Sequence, residues 1–171
     1  AELGARVLRP GGLCITYVRT ADLPHAIASM SAHMEYSWTC GVLQPKTKQG
    51  AKQRGFLGRL RLLLVFRKPG ETIRTKLVPD GIETLKGPRT HTDGPVRDLA
   101  AAYVEAFTRA GDVVLDPCAK TGTILAAARA LGRHFVGFDQ DETNVRKVIS
   151  RLSSPDGGSD DDGDDGDDAP D

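Results

Sequence analysis

Asp116 and Asp139 are the residues of this chain best placed, by type and spacing, to do chemistry. Asp116 closes the apolar run Val113-Val-Leu-Asp116 and precedes Pro117-Cys-Ala-Lys-Thr-Gly-Thr123, a stretch of mostly small residues. An Ala-rich helical run follows, then Phe135-Val-Gly-Phe138, capped by Asp139. Read as strand, tight turn, helix and strand, this order opens a crevice at the carboxyl ends of two parallel strands. Small side chains in the turn let the backbone approach a bulky ligand. A carboxylate one βα unit later can accept hydrogen bonds from two ribose hydroxyls. Phe138 and Gln140 flank that carboxylate and are placed to line the base side of a nucleoside. Taken alone, the turn is equally an ordinary βα connection of any Rossmann-like domain.

The elements that must position these residues read as follows. Ala1 to Leu8 is helix-like and is stopped by Arg9-Pro-Gly-Gly12, which cannot continue a helix. Leu13 to Val18 is a short apolar run that predicts a buried strand. Asp22 is placed to cap a helix over about 23–33. Residues 35–43 are strand-like and pair naturally, antiparallel, with an apolar strand at 60–66. Between them, 45–59 is polar, basic and Gly-containing, a loop. Residues 69–94 carry Pro69-Gly70, Pro79-Asp-Gly81 and Gly87-Pro88 and read as irregular linker. Pro95 opens an amphipathic helix over 96–110 with Leu99, Tyr103, Val104 and Phe107 on one face. The site unit follows: strand 112–116, helix 122–131, strand 134–138, helix 141–152. No internal repeat is visible.

The chain has 171 residues, enough for one domain with a substantial core. Its formal charge of zero averages two unlike regions. From Asp156 to Asp171 there are nine acidic residues and no basic one, leaving 23 basic against 14 acidic residues in the body. A basic body suits a polyanionic partner. The acidic tail, 153–171, has too little apolar surface to fold and is expected to be disordered. It reads as solubilising, with competition for a nucleic-acid site as the sharper alternative. Cys14, Cys40 and Cys118 are odd in number and widely spaced, which speaks against a disulfide framework or a zinc site and fits a reducing cytoplasm. No run approaches the roughly 18 apolar residues of a membrane span, and no signal-like N-terminus is present. The chain starts without Met inside helix-like sequence, so it is expected to be the C-terminal part of something longer.

Several motifs occur in a fixed order. Arg6-Val-Leu-Arg-Pro-Gly-Gly12 precedes a strand, Tyr36-Ser-Trp38 lies in one, and Val65-Phe-Arg-Lys-Pro-Gly70 closes another. Gly111-Asp-Val-Val-Leu-Asp-Pro117, Thr121-Gly-Thr123 and Gly137-Phe-Asp139 follow. The series resembles the C-terminal part of the S-adenosylmethionine-dependent DNA amino-methyltransferases, which modify adenine N6 or cytosine N4. The permuted variety is the one resembled, in which catalytic motifs precede the cofactor motif, and the nearest likeness is to short methylase domains of phages and mobile elements. The resemblance covers residues 1–152.

It implies an α/β, Rossmann-like methyltransferase fold whose mixed sheet includes an antiparallel hairpin. The chain then holds a partial methyltransferase domain, 1–152, with basic loop 45–59, linker 69–94 and cofactor-binding unit 95–152. It also implies S-adenosylmethionine as cofactor and DNA as partner. Asp116, Pro117, Cys118, Ala119, Lys120, Thr121, Gly122 and Thr123 would cradle the methionine end. Asp139 would hold the ribose, with Gln140 beside it. His91 opens His91-Thr-Asp-Gly-Pro-Val96, which resembles the family's His-Pro-x-x-Lys-Pro-Val element but is one residue shorter and lacks the Lys.

The sequence departs from the family at three further places. Cys118 stands where Phe is usual, and Lys120 where Gly is. Lys120 weakens cofactor binding, pairs with the methionine carboxylate, or is simply a solvated lysine. The Asp/Asn/Ser-Pro-Pro-aromatic motif that accepts hydrogen bonds from the target amine is absent, so no catalytic residue is assigned here and that motif is expected upstream of Ala1.

Methyl transfer to an exocyclic amine needs in-line approach and polarisation of the amine, and the base must leave the stack. Residues 46–68 carry no acid. Lys46, Lys48, Lys52, Arg54 and Arg59 could track phosphates with Phe56 as a wedge, or form a solvated loop. Tyr36 and Trp38 read as core rather than base platform. Cys118 reads as small buried filler rather than nucleophile. The reading favoured is a DNA methyltransferase, adenine N6 ahead of cytosine N4. A non-catalytic nucleic-acid-binding protein that kept the fold, and a methyltransferase for RNA or a small molecule, are the alternatives.

Overall fold

The computed structural model describes residues 1–43, 52–53, 56–57, 60–74, 76–83 and 94–153. The acidic tail, His91 and the side chains of Lys46, Lys48, Lys52, Arg54, Phe56 and Arg59 lie outside the described set.

Helix α1 (Glu2–Val7) leads through the Pro10-Gly11 turn into β1 (Leu13–Val18). A 3-10 turn at Thr20–Asp22 precedes α2 (Leu23–Ser31), and β2 (Glu35–Leu43) follows. Two two-residue strands, β3 (Lys52–Gln53) and β4 (Phe56–Leu57), pair antiparallel inside the expected loop. Strand β5 (Leu60–Arg67) and the short β6 (Gly81–Glu83) complete a four-stranded sheet of order β1-β5-β2-β6. The last unit is α3 (Gly94–Phe107), β7 (Val113–Asp116), α4 (Thr123–Ala130), β8 (His134–Gly137) and α5 (Glu142–Ser153). Strands β7 and β8 form a separate parallel pair.

The expected antiparallel pairing of β2 with β5 is present, with a register shift between Tyr36 and Trp38, and β1 lies antiparallel on the other side of β5. Strand β5 is therefore central, and its side chains alternate between two cores. Leu63 and Val65 join Cys40, Val42, Leu99 and Tyr103 on the face covered by α3. Leu64 and Phe66 join Met34 on the opposite face, against α1 and α2. This two-faced burial explains why β5 reads as a near-continuous apolar run. The α3 face named from periodicity is the one packed: Leu99, Tyr103 and Val104 are buried, and Phe107 packs beside them.

Two glycine turns lock the sheet's lower edge. Gly11 has φ +73° and a Cβ there would lie 1.8 Å from the Glu71 carbonyl oxygen; a Cβ on Gly70 would lie 2.7 Å from the Gly11 nitrogen. The Gly11 N–H donates to Lys68 O, and the Lys68 N–H returns to Gly12 O. Lys68 Nζ also donates to Leu8 O at 2.8 Å. Two of the family-like motifs, around Pro10-Gly11 and Pro69-Gly70, are thus one structural joint.

Four expectations need correcting. The 69–94 stretch is not wholly irregular, because β6 pairs parallel with Gly41–Leu43 and the Gly41 N–H donates to Asp80 O at 2.7 Å. Tyr36 and Trp38 are not core: they are 46% and 57% exposed, because the register shift turns them to the rim. Trp38 Nε1 reaches Asp80 Oδ2 and Tyr36 packs edge-on to Phe66. Asp22 stands at the N-cap of α2 but makes no side-chain cap; its carboxylate takes Arg19 Nε at 2.7 Å instead. Cys118 is exposed, not buried filler. Among the described residues no helix is long and apolar enough to cross a membrane, and no group of three or more His, Cys, Asp or Glu could hold a metal ion.

Candidate functional site

The parallel register of β7 and β8 sets Asp116 opposite Gly137, so the two strand tips lie side by side. The Phe138 N–H donates to Asp116 O at 3.0 Å and the Ala119 N–H to Phe138 O at 2.8 Å. The turn after β7 is thereby laid across the end of β8. The Lys120 N–H then donates to Asp139 Oδ2 at 2.8 Å. Sequence reasoning placed Asp116, the turn and Asp139 around one crevice, and the fold brings them together.

The turn's own bonds fix its shape. Cys118 N–H donates to Asp116 Oδ1 at 3.1 Å, and Gly122 N–H to Ala119 O at 2.6 Å. Thr121 and Thr123 share a hydroxyl contact at 3.2 Å. Gly122 has φ +74°, and a Cβ there would come within 3.1 Å of Val148. Lys120, at φ +44°, is the one non-glycine residue with positive φ among those described. A side chain in that region costs roughly 1–2 kcal/mol, which is why glycine is the usual occupant. Gly137 is required by closeness rather than by φ, since its Cβ would fall 2.4 Å from Leu125 Cδ1. Its absence lets α4 seat Leu125, with Ala119 and Val148, directly under the crevice.

Helix α5 supplies what sequence reasoning missed. Asn144 Nδ2 donates to Asp139 Oδ1 at 3.1 Å, and the Asp141 N–H donates to the same oxygen at 2.9 Å. Arg151 is buried and donates from Nη1 to Thr121 O at 2.8 Å. Asn144, Val148 and Arg151 fall on one face at i, i+4 and i+7, a spacing that was available in the sequence.

The two carboxylates have opposite electrostatics. Burial pushes Asp116 above the ordinary carboxylate value; the Cys118 N–H opposes this, and the charge of Asp139 adds to it. Asp139 is held below its ordinary value by the Asp141 N–H first, then by Asn144 and the Lys120 N–H. Asp139 is therefore ionised at neutral pH and acceptor-only, while partly exposed at the crevice mouth. Phe138, 59% exposed beside it, offers an apolar face. Gln140 is exposed as well, as are Pro117 and the Lys120 side chain. Two shallow cavities, about 330 Å³ near His33 and Tyr36 and about 370 Å³ near Thr72 and Arg109, lie elsewhere and are not lined by the crevice residues.

The fold has clear counterparts. The crystal structure of M1.HpyAVI matches with TM-score 0.73 at 17% identity, covering 88% of this chain and 77% of that one. The cytosine-N4-specific PvuII DNA methyltransferase matches with TM-score 0.69 at 11% identity, covering 86% and 66%. The fold is the α/β methyltransferase fold.

In sequence, residues 84–150 match the DNA methylase family, the segment that carries the turn and Asp139. The type II methyltransferase M.HinfI of Haemophilus influenzae is 31% identical over 71 residues, 42% of this chain and 20% of that protein. M.HindIII, from the same species, is 34% identical over 55 residues, 32% of this chain and 18% of that protein. Over that segment the chain is similar to N6/N4 DNA methyltransferases, and the matched stretch spans about a fifth of these curated relatives' length.

Proposed function

We propose that this chain is the cofactor-binding part of a DNA methyltransferase that uses S-adenosylmethionine, with adenine N6 as the target amine ahead of cytosine N4. The observation that carries this is the pairing of an ionised Asp139 with a turn of small residues at the tips of two parallel strands. A related solved structure, M1.HpyAVI, is described as a complex with S-adenosylmethionine.

The residues present fit that cofactor. Asp139 accepts at the crevice mouth, where a ribose diol can donate to it. Phe138 and Gln140 flank it on the adenine side. Asp116 and residues 117–123 would form the cradle for the methionine end, with the exposed Lys120 side chain at its edge. When bound, the cofactor supplies a methyl group on a positive sulfur. The chain's own contribution is to hold that group in line with an incoming amine and to orient it by charge. The Lys, Arg and Phe56 set of segment 46–59 is assigned to the DNA, phosphates first. His91 is assigned to the cofactor.

The groups that polarise the target amine are assigned to a Pro-Pro-aromatic motif outside this chain. Incubation with tritiated S-adenosylmethionine and DNA tests the assignment. The chain alone is expected to transfer no label, and transfer is expected on addition of a segment that carries the motif. Robust labelling by the chain alone contradicts it.

Lys120 favours a second reading, a nucleic-acid-binding protein that kept the fold without the chemistry. A side chain at φ +44° stands where close backbone approach is needed. DNA binding without S-adenosylmethionine binding is the outcome that selects this reading.

A further inference from the structure

An exposed aromatic residue and an exposed cation lie together on the four-stranded sheet, outside every motif discussed above. Tyr17 on β1 stands opposite Leu63 of β5. Arg61 lies two residues before Leu63 and so shares its face, which makes Tyr17 and Arg61 diagonal cross-strand neighbours. That face is the one α3 covers, yet α3 leaves Tyr17 50% exposed while Leu13 and Ile15 pack against the core beside it. Arg61 is exposed, and no ion pair among the described residues involves it. Its charge is felt at Tyr17, drawing the hydroxyl pKa down against the larger upward effect of burial.

The position of this pair follows from strand directions. Strands β1 and β2 both run antiparallel to β5, so β1 ends where β2 ends and β5 begins. Arg9, just before β1, donates to Asp112, just before β7, at 3.0 Å, which sets the starts of β1 and β7 together. Helix α3 packs Leu99 and Tyr103 on the face that carries Tyr17 and Arg61 and leads on through Phe107 to β7.

We propose that Tyr17 and Arg61 form a nucleotide-contact patch, on which an unstacked base of DNA lies against the Tyr17 ring while its neighbouring phosphate meets the Arg61 guanidinium. The patch rests on the DNA reading given above. Its chemistry suits single-stranded or locally opened DNA, because an aromatic face accepts any base and a planar guanidinium holds a phosphate in two contacts.

Fluorescence anisotropy of the full chain with a labelled oligonucleotide that contains a single-stranded gap, at several salt concentrations, tests the patch. Tyr17→Ala is expected to weaken binding about tenfold, and Tyr17→Phe less than about twofold, since stacking needs the ring and not the hydroxyl. Arg61→Gln is expected to reduce the salt slope by about 1 while leaving the melting temperature unchanged. If Tyr17→Ala fails to fold, Tyr17→Leu and Arg61→Gln carry the test. Variants that bind as tightly and as salt-dependently as the unaltered chain overturn the patch and leave the DNA reading standing. Absence of salt-sensitive binding by the unaltered chain overturns both.

Discussion

The backbone N–H of Lys120 meets Oδ2 of Asp139 at 2.8 Å, so the turn that follows one strand is fastened to the carboxylate that ends the next. The bond is made by backbone, so any residue can supply it, but at φ +44° glycine supplies it with least strain. Lys120→Gly should therefore keep the bond and stabilise the fold by about 1 kcal/mol, read as a higher denaturation midpoint. It should also raise the affinity for S-adenosylmethionine in calorimetric titration. A weaker affinity would show that the ammonium group contributes to binding.

The carboxylates at the two tips should give opposite pH signatures. Asp139 has a lowered folded pKa, so its stabilisation is present above the ordinary carboxylate value and is lost as pH falls through the lowered one. Asp116 has a raised folded pKa, so its contribution is present below the ordinary value and is lost as pH rises through the raised one. Asp116→Asn keeps an acceptor for the Cys118 N–H and removes the buried charge. It should raise the melting temperature at about pH 7 and leave it nearly unchanged at about pH 3, where both forms are neutral. Asp139→Asn should flatten the acid side of the stability profile.

Arg151 backs the turn from behind. Replacing it with Met removes a charged donor from Thr121 O and should cost about 2 kcal/mol in denaturant unfolding. Arg151→Lys, which keeps a charge but not the planar fork, should recover only part of that.

Gly137 makes room for Leu125. Gly137→Ala sets a methyl group 2.4 Å from Leu125 Cδ1, where Leu125 is 2% exposed and has little freedom to move. The expected cost is about 1–3 kcal/mol. Adding Leu125→Ala should relieve the clash, so the pair should be less destabilised than the sum of the single changes, a coupling that a double-mutant cycle reads directly.

The juxtaposition of Asp116, the turn and Asp139 was legible because its signals are local. An apolar strand ending in Asp116, a small-residue turn and a second strand ending in Asp139 are consecutive in the chain. Their geometry follows from one βα unit. The pairing of β2 with β5 was legible for the same reason, two apolar strands either side of one loop. What escaped depends on distance. Strand β6 is only Gly81–Glu83, follows Pro79-Asp80 and gains its identity from β2, some forty residues earlier. The exposure of Tyr36 and Trp38 follows from a register shift against β5 that no strand pattern encodes by itself. Arg151 is a charged residue whose type gives no sign of burial. Its burial appears only once α5 lies against the turn.

Isothermal titration of the chain with S-adenosylmethionine, alongside its Asp139→Ala variant, is the most direct measurement of the central claim. The account predicts saturable binding by the unaltered chain that is lost in the variant while the fold's melting transition persists. Equal binding by both proteins, or no saturable heat from the unaltered chain at millimolar ligand, would contradict it.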